Sequence, residues 1–444
     1  MHPSVENKMN KLRMAGAKVI CKNDVILSKV ERQGIAYVTI HIDVDGVVFK
    51  LQSIEDIDNF LTPICEIEVK GKGKAKLLRF GSSDINNENK YTIKRLIMDV
   101  DTSNITNMAY MFSTLGNLEK IEFRRFDTSN TTMMQYMFAE CKSLKELDLR
   151  CLDTSNVTSM SHMFIRCISL KKLDISSFDT SYVSSMNSMF KHCTLLEEIN
   201  LSSFRTPLLE SIRDTFYNCR NIKEIDISTF DLRNIMNMSG MAASCMELIR
   251  VKMPPPDRVG LNKVKELSSV FHDCIRLIDI DLSGLEGNKV TGVESMFENC
   301  NSLTRLDMRN FNPDKLKYID GFAYQCDRLI YLDLRKLRYN SLESNAQFVS
   351  SDGYITIILH QPKDKDSTNN LKTVQFCGEN CLDVTSKIFE RMDIVGRDVL
   401  KGTVKGTAGE IRKYTDELSI QALTLMEAHS NSRNKLRVLY SLEQ

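Results

Sequence analysis

The chain has 444 residues, of which 42% are hydrophobic and 26% are charged, so it can form a large hydrophobic core. Its 59 Lys and Arg residues balance 58 Asp and Glu residues, and the net charge of +1 gives no electrostatic reason to expect nucleic acid or an anionic membrane as a partner. No segment is apolar over the length of a transmembrane helix, and residues 1–14 lack the apolar core of a secretory signal. These features predict a cytoplasmic protein that does not bind membranes.

The first region, residues 1–91, is predicted to form a β-rich cap domain. Apolar residues alternate with polar ones at 35–42 and again at 47–51, which indicates two strands. Asp45-Gly46 stands between them, and this pair favours the tight turn of a β-hairpin.

Two motifs of this region have weak ligand signals. Asp43-Val-Asp-Gly46 is similar to the start of a calcium loop, but Ile54 stands where the twelfth-position Glu should be, which disfavours calcium. The basic run at 70–76, Lys-Gly-Lys-Gly-Lys-Ala-Lys, could contact phosphates. It lacks the rest of a P-loop pattern, so a solvated loop or hairpin is the favoured interpretation.

A 26-residue unit recurs from residue 92 to about residue 340. Its clearest copy, residues 153–178, is DTSNVTSMSHMFIRCISLKKLDISSF. The second residue of its Met-Phe pair returns at steps of 26, with one step of 29, at Phe112, Phe138, Phe164, Phe190, Phe216, Ala242, Phe271, Phe297 and Ala323. Nine copies at a fixed period predict a solenoid in which each unit buries its apolar side against its neighbours.

Each unit is predicted to combine a short helix with a short strand. Apolar residues spaced as on one helical face run from Val157 to Cys167, and Asp153-Thr-Ser-Asn156 before them supplies helix-capping oxygens. Leu173 and Ile175 then alternate with polar residues, as in a strand. The sequence therefore predicts an α/β solenoid of about nine strand-helix units, with a parallel sheet on one side and helices on the other.

The recurring text resembles the BspA-type leucine-rich repeat of bacterial surface proteins and mycoplasma lipoproteins. Asp-Thr-Ser-Asn stands at 101–104, 127–130 and 153–156, and Met-Phe-x-x-Cys stands at 137–141, 163–167, 189–193 and 296–300. The resemblance covers residues 92–340 and implies a leucine-rich-repeat solenoid with non-repeat caps at 1–91 and 341–444. It implies little about function, because the members of such a family share a scaffold and differ in what they bind.

Eight of the thirteen cysteines form one column, at Cys141, Cys167, Cys193, Cys219, Cys245, Cys274, Cys300 and Cys326. Helices packed side by side would hold them about 8–10 Å apart, which is too far for disulfides. Small buried hydrophobes are therefore favoured over a metal or redox ladder. The step of 29 contains Met253-Pro-Pro-Pro256, and we expect these prolines to end the strand of that repeat early and to bulge from the stack.

Recognition residues are expected on the outward face of the predicted sheet. Most strands carry Asp at one outward position, and this column is either compensated by nearby hydroxyls, amides and basic side chains or serves as an acidic strip for a basic partner or a cation. The neighbouring outward positions vary, and Arg and Tyr supply most hot-spot energy at interfaces. The predicted partner-binding residues are Arg150, Arg305, Asp307, Arg309, Tyr331, Asp333 and Arg335.

Residues 341–444 are predicted to form the C-terminal cap. Strand-like text occurs at 354–359 and 372–376, and apolar residues on one helical face follow between 411 and 426. The segment from Cys377 to Cys381 has three residues between its cysteines, which fits neither a thioredoxin motif nor the usual zinc spacing, so a turn is favoured.

The sequence favours a non-catalytic scaffold of bacterial or phage origin that binds an unidentified protein through its sheet face, as an inhibitor or adaptor. The seven histidines are scattered, and no nucleophile elbow, P-loop or paired-carboxylate pattern stands out. No catalytic residue, metal site or cofactor is therefore predicted. Two alternatives stay open, namely a BspA-type cell-surface adhesin whose signal segment has been removed and an enzyme with its site in a flanking region.

Overall fold

The computed structural model describes residues 3–33, 35–51, 65–83, 92–259, 263–282, 284–334, 336–337, 349, 355–360 and 436–441. They belong to two compact units, Met1–Asp231, here unit 1, and Leu232–Gln444, here unit 2. The predicted strand at 372–376, the turn from Cys377 to Cys381 and the helix at 411–426 lie outside the described residues.

Unit 1 begins with helix α1 (Pro3–Met14), whose Val5 and Met9 pack against Ile26. Seven strands follow, β1 (Lys18–Lys22), β2 (Val25–Arg32), β3 (Ile35–Ile42), β4 (Val47–Lys50), β5 (Cys65–Arg79), β6 (Ile93–Asp101) and β7 (Lys120–Phe123). The sheet order is β1-β2-β3-β5-β6-β7, and β4 also pairs with β5. The pairs β1-β2 and β2-β3 are antiparallel, and all the later pairs are parallel.

The predicted hairpin of β3 and β4 is wrong. Both strands pair in parallel with the long strand β5, β3 with its first half and β4 with its second half. The turn between them bonds to β5 as well, because Lys74 N–H donates to Asp45 Oδ1 at 2.7 Å and Gly46 N–H donates to the Lys74 carbonyl at 2.8 Å. The local turn signal could not reveal this arrangement, since the true partner lies 29 residues further along the chain.

The basic run at 70–76 is also not the loop or hairpin that its composition favoured, because it lies inside β5. Its glycines allow β5 to pass close to the backbone after β3. A Cβ added to Gly71 would stand 1.8 Å from the Ile42 oxygen, and one added to Gly73 would stand 2.4 Å from the Val44 oxygen. Only glycine fits at both positions, because any side chain would collide with this backbone.

The strand-helix detail of the predicted repeat is wrong, because no repeat in the described chain contains an α-helix. The segment from Met160 to Cys167 forms successive turns instead. Met163 N–H donates to the Met160 carbonyl and Cys167 N–H to the Phe164 carbonyl, while His162 and Arg166 have φ of 60° and 58°. A positive φ at the third residue is what a type II turn requires, and it breaks a helix. Two successive four-residue turns space their apolar residues almost as a helix does. The sequence pattern therefore could not distinguish the turns from a helix.

Backbone hydrogen bonds between successive turns replace the helical ones. Phe138 N–H donates to the Met163 carbonyl, and Phe164 N–H donates to the Met189 carbonyl, both at 2.9 Å. The same link recurs in unit 2, where Phe271 N–H donates to the Met296 carbonyl at 2.9 Å. Each unit is therefore a stretch of β-solenoid in which every turn completes the hydrogen bonding of its neighbour.

The Asp-Thr-Ser-Asn motif builds a corner of the turn rather than a helix cap. Asp153 Oδ1 accepts from the Ser155 backbone N–H at 2.9 Å and from its hydroxyl at 2.6 Å. Thr154 is buried, and its hydroxyl donates to the Asp179 carbonyl of the next turn at 2.9 Å and accepts from the Asp179 N–H at 2.8 Å. The motif recurs because each copy fastens its corner to the following one.

Stacked side chains fill the core of each unit. In unit 1, Phe138, Phe164 and Phe190 follow one another with ring centroids 5.6 Å apart, and they are fully buried. The column cysteines belong to the same buried core, and seven of the eight thiols contact a carbonyl of the preceding turn, as Cys167 Sγ does with the Phe138 oxygen at 3.2 Å. Burial raises the pKa of Cys193 to about 12, so this thiol stays protonated.

The strands of the repeats are short. In unit 1 they are β8 (Lys172–Asp174), β9 (Glu198–Asn200) and β10 (Glu224–Asp226), and β8 pairs with β9 in parallel. The first of these confirms the strand expected after Cys167. The equivalent residues of the preceding repeat, 146–148, do not form a strand, although their Leu-Asp-Leu text is the same kind of pattern.

Unit 2 contains β11 (Arg250–Lys252), β12 (Asp279–Ile280), β13 (Arg305–Asp307), β14 (Tyr331–Leu334), β15 (Ile355–His360) and β16 (Leu436–Ser441). β11 pairs with β12, and β13 to β16 form a parallel sheet in chain order. β15 confirms the strand predicted at 354–359.

The prolines at 254–256 do not end their strand early, since β11 is as long as β13 and that expectation is wrong. The chain turns through a 3₁₀ helix, Pro256–Arg258, and Pro256 packs closely on Gly284. The Arg258 carbonyl then accepts from Leu232 N–H at 2.8 Å. The insertion is thus bonded into unit 2.

Candidate protein-binding surface

Four of the predicted binding residues meet on two neighbouring strands of unit 2. Arg305 lies opposite Tyr331, and Asp307 lies opposite Asp333, in the parallel register of β13 and β14. The Arg305 guanidinium lies over the Tyr331 ring, 4.1 Å from its centroid, and its Nη2 is 3.3 Å from Asp307 Oδ2. Stacking and ion pairing thus restrict the orientation of this partly exposed arginine before any partner arrives.

Arg309 holds Asp307 in a two-pronged ion pair. Its Nε donates to Asp307 Oδ1 at 3.0 Å and its Nη2 donates to Oδ2 at 2.5 Å. Burial alone would raise the pKa of Asp307, but the hydrogen bonds and charge of Arg309 outweigh burial and hold that pKa below its ordinary value. Two of the five N–H donors of the Arg309 side chain are therefore used inside the protein.

Tyr331 and Asp333 were expected to face a partner, and the structure corrects their exposure. Tyr331 is 7% exposed and Asp333 is 0% exposed, and the Tyr331 hydroxyl donates to Asp333 Oδ2 at 3.0 Å. β14 lies between β13 and β15, and Arg305 covers the tyrosine ring. Burial, followed by the charge of Asp333, raises the pKa of Tyr331. These two residues support Arg305 rather than present themselves to a partner.

The remaining two predicted residues do not join this cluster. Arg335 lies outside the described residues. Arg150 belongs to unit 1, where it is exposed and makes a two-pronged pair with Asp148, Nε to Oδ1 at 2.9 Å and Nη2 to Oδ2 at 2.7 Å. The hydrogen bonds from Arg150 lower the pKa of Asp148 to about 2.

The acidic column has partners within the protein at each position for which contacts are described. Asp174 Oδ1 accepts from Ser176 N–H at 3.0 Å, and Asp226 Oδ1 accepts from Ser228 N–H at 3.1 Å. The hydrogen bonds from Ser176 lower the pKa of Asp174. These contacts favour the structural interpretation of the column, in which the aspartates stabilise the turn after each strand.

Sequence reasoning missed two exposed isoleucines, in the repeats before and after that of Arg305. Ile278 is 52% exposed and Ile330 is 57% exposed, and each directly precedes a strand, β12 and β14. The exposed Thr304 occupies the same place before β13, and Ile330 N–H donates to its carbonyl at 3.0 Å. The sequence did contain a sign of this exposure. Ile278 and Ile330 each follow a buried leucine, at a repeat position where unit 1 has charged residues such as Lys171 and Glu197.

We name this set, Ile278, Thr304, Arg305 and Ile330, the isoleucine-arginine surface. It combines two exposed apolar side chains with an arginine whose orientation is restricted by its stacking and its ion pair. Apolar residues and arginine together are typical of the centre of protein interfaces. Among the described residues, no group of three or more His, Cys, Asp and Glu side chains could hold a metal ion. No helix in the described part of the chain is long and apolar enough to cross a membrane.

The family comparison covers the repeats. A family model described as "Mycoplasma protein of unknown function, DUF285" matches residues 83–172, 145–252 and 257–351, which is more than half of the chain. The chain belongs to this family. The description names no activity, and the narrower relation to BspA-type repeats stays a resemblance.

A leucine-rich repeat protein from Eubacterium ventriosum ATCC 27560 is 14% identical, with a TM-score of 0.30, and the match covers 69% of this chain and 87% of that chain. No curated protein matches the sequence.

Proposed function

We propose that this member of the DUF285 family is a non-catalytic scaffold that binds a protein partner through the isoleucine-arginine surface. The observation that carries the proposal is the exposure of Ile278 and Ile330, one repeat before and one repeat after an arginine that stacks on Tyr331. Covering the exposed half of each isoleucine would contribute about 1 kcal/mol. Arg305 would lose little further freedom on binding, because its stacking and ion pair already restrict it.

The partner that fits this surface has an apolar patch with a carboxylate beside it. The carboxylate would bond to Arg305, whose guanidinium side chain is 43% exposed and whose contact with Asp307 is a single long hydrogen bond. Binding would act by occupancy, so the protein would serve as an inhibitor or adaptor for whatever its partner does. We also propose that it works in the cytoplasm, where its buried thiols stay reduced.

The experiment compares matched variants of the full chain. A photo-crosslinking residue replaces Thr304, the crosslinked partner is identified by mass spectrometry, and its purified form is titrated against each variant. Ile278→Asp with Ile330→Asp should weaken binding roughly 100-fold, and Arg305→Glu should weaken it roughly tenfold or more. Tyr182→Asp is the control, because Tyr182 is 59% exposed on unit 1.

The isoleucine variant and Tyr182→Asp should melt within a few degrees of the parent, because the changed side chains are exposed. Arg305→Glu should melt lower, because its carboxylate would stand beside Asp307. A partner that binds the isoleucine variant as tightly as the parent would place the interface elsewhere. Equal weakening by Tyr182→Asp would mean that the binding is nonspecific.

A further inference from the structure

The sheet of unit 1 is interrupted at residues 145–149. Within the described chain, no backbone hydrogen bond joins this segment to β7 on one side or to β8 on the other. The sheet also opens between β9 and β10, but there both segments are strands. At 145–149 the segment is not a strand, and the described backbone hydrogen bonds do not join it to the facing edge of β8.

The interruption opens into a cleft of about 750 Å³. Residues 145–148 form one wall of the cleft, and Lys171, Lys172 and Asp174 form the other. Two leucines also line it, the buried Leu147 and the partly exposed Leu195. This volume lies within the range of pockets that bind ligands. The successive turns stay close behind the cleft, since the Phe138 and Phe164 rings are 5.6 Å apart. The opening is therefore confined to the sheet side.

The charge of the cleft is uneven. Four basic and three acidic side chains line it. Asp148 is bound by Arg150, Asp174 accepts from the Ser176 N–H, and Lys172 pairs with Glu198 at 2.8 Å outside the cleft. Of the exposed side chains that line the cleft, Lys145, Lys171 and Glu146 take part in no ion pair in the described chain, so two cations stand against one carboxylate.

These features fit one kind of occupant. An extended chain can satisfy an open strand edge with its own backbone, as in strand addition, whereas a small anion would contact the lysines and leave the edge unpaired. We propose that the cleft binds an extended acidic polypeptide segment, which adds as a strand to the open edge of β8 and places carboxylates against Lys145 and Lys171. This site is independent of the isoleucine-arginine surface of unit 2.

The test uses the full chain and a fluorescent decapeptide of alternating Glu and Val, with binding measured by anisotropy. Lys145→Glu with Lys171→Glu should weaken binding roughly tenfold or more, because charge reversal acts on the two free cations. Lys223→Glu is the matched control, since Lys223 is exposed at the same repeat position outside the cleft, and it should change binding by less than about twofold.

Two further probes separate strand addition from charge alone. The same peptide with alternate amides N-methylated should lose its affinity, and a Lys-Val decapeptide should not bind. The proposal is overturned if the Glu-Val peptide does not bind, if the methylated peptide binds equally well, or if Lys223→Glu weakens binding as much as the double variant does. It is also overturned if sedimentation shows a dimer of the free protein that Lys145→Glu with Lys171→Glu dissociates, because the occupant is then a second copy.

Discussion

Arg309 and Arg150 each pair with an aspartate two residues earlier, yet their ion pairs differ in shielding from water. The Arg309 side chain is 34% exposed and that of its partner Asp307 is 21% exposed, whereas the pair of Arg150 and Asp148 is open to solvent. Exposed ion pairs contribute little to stability, and half-buried hydrogen-bonded ones contribute more. The same sequence motif therefore has a structural role in one repeat and almost none in another.

Arg309→Met should lower the free energy of unfolding by about 1–2 kcal/mol, because it leaves the Asp307 carboxylate with two long contacts, one to Arg305 and one to the backbone N–H of residue 309. Urea denaturation of the full chain measures this change. Arg150→Met is the matched control and should leave the midpoint unchanged. Equal midpoints for the two variants would show that the Asp307 pair does not stabilise the fold.

His41 is a buried titratable group in the sheet of unit 1. It is 5% exposed, its Nε2 is 3.0 Å from Ser28 Oγ, and burial, with the charge of Lys8, lowers its pKa to about 4. The unfolded chain has the ordinary pKa near 6.5 and therefore binds more protons between these two values. Stability contributed by the neutral histidine is complete above about pH 6.5 and is lost as the pH falls towards 4.

His41→Gln should flatten this dependence. The difference in unfolding free energy between parent and variant should change by on the order of 3 kcal/mol between pH 7 and pH 4, because a shift of one pKa unit is about 1.4 kcal/mol. Denaturation curves of both proteins across that range measure it, and the carboxylates cancel in the difference. Parallel curves would show that His41 titrates normally in the fold.

At the scale of elements, the sequence predicted the repeat period and the buried positions well. Phe164, Cys167 and Leu173 are buried as the pattern indicated, and β8 lies where the alternation placed it. The helix was wrong because turns with a positive φ at His162 and Arg166 bury residues at nearly helical spacing. The hairpin and the exposure of Tyr331 were wrong because each depends on contacts with other strands, which no local pattern records.

Deleting Pro254–Pro256 tests an element that looks dispensable in sequence, since deletion restores the step of 26. The structure predicts destabilisation by more than about 1 kcal/mol, because Pro256 packs on Gly284 and the Arg258 carbonyl bonds to Leu232 N–H. Thermal unfolding measures the loss. Pro255→Ala, at an exposed position, is the control and should cost at most about 1 kcal/mol. A deletion variant as stable as the parent would show that the prolines only interrupt the repeat.

At the scale of the molecule, coupling between turns decides how damage spreads. A solenoid has contacts mainly between neighbouring turns, so its stability is approximately a sum of turn and interface contributions. Phe164 takes part in two such interfaces in unit 1, since its ring stacks on Phe138 on one side and on Phe190 on the other. Its loss should therefore weaken three consecutive turns before any other part of unit 1.

Phe164→Ala should cost about 3–5 kcal/mol, because it removes a fully buried ring and leaves a cavity that rigid neighbours cannot fill. Hydrogen exchange should show lost protection first at the amides of Phe138, Phe164 and Phe190, and later at the strands β1 to β3. Ile168→Ala, at a 39% exposed position of the same turn, should cost less than about 1 kcal/mol. Protection lost evenly over unit 1 would mean that it unfolds as one cooperative block rather than turn by turn.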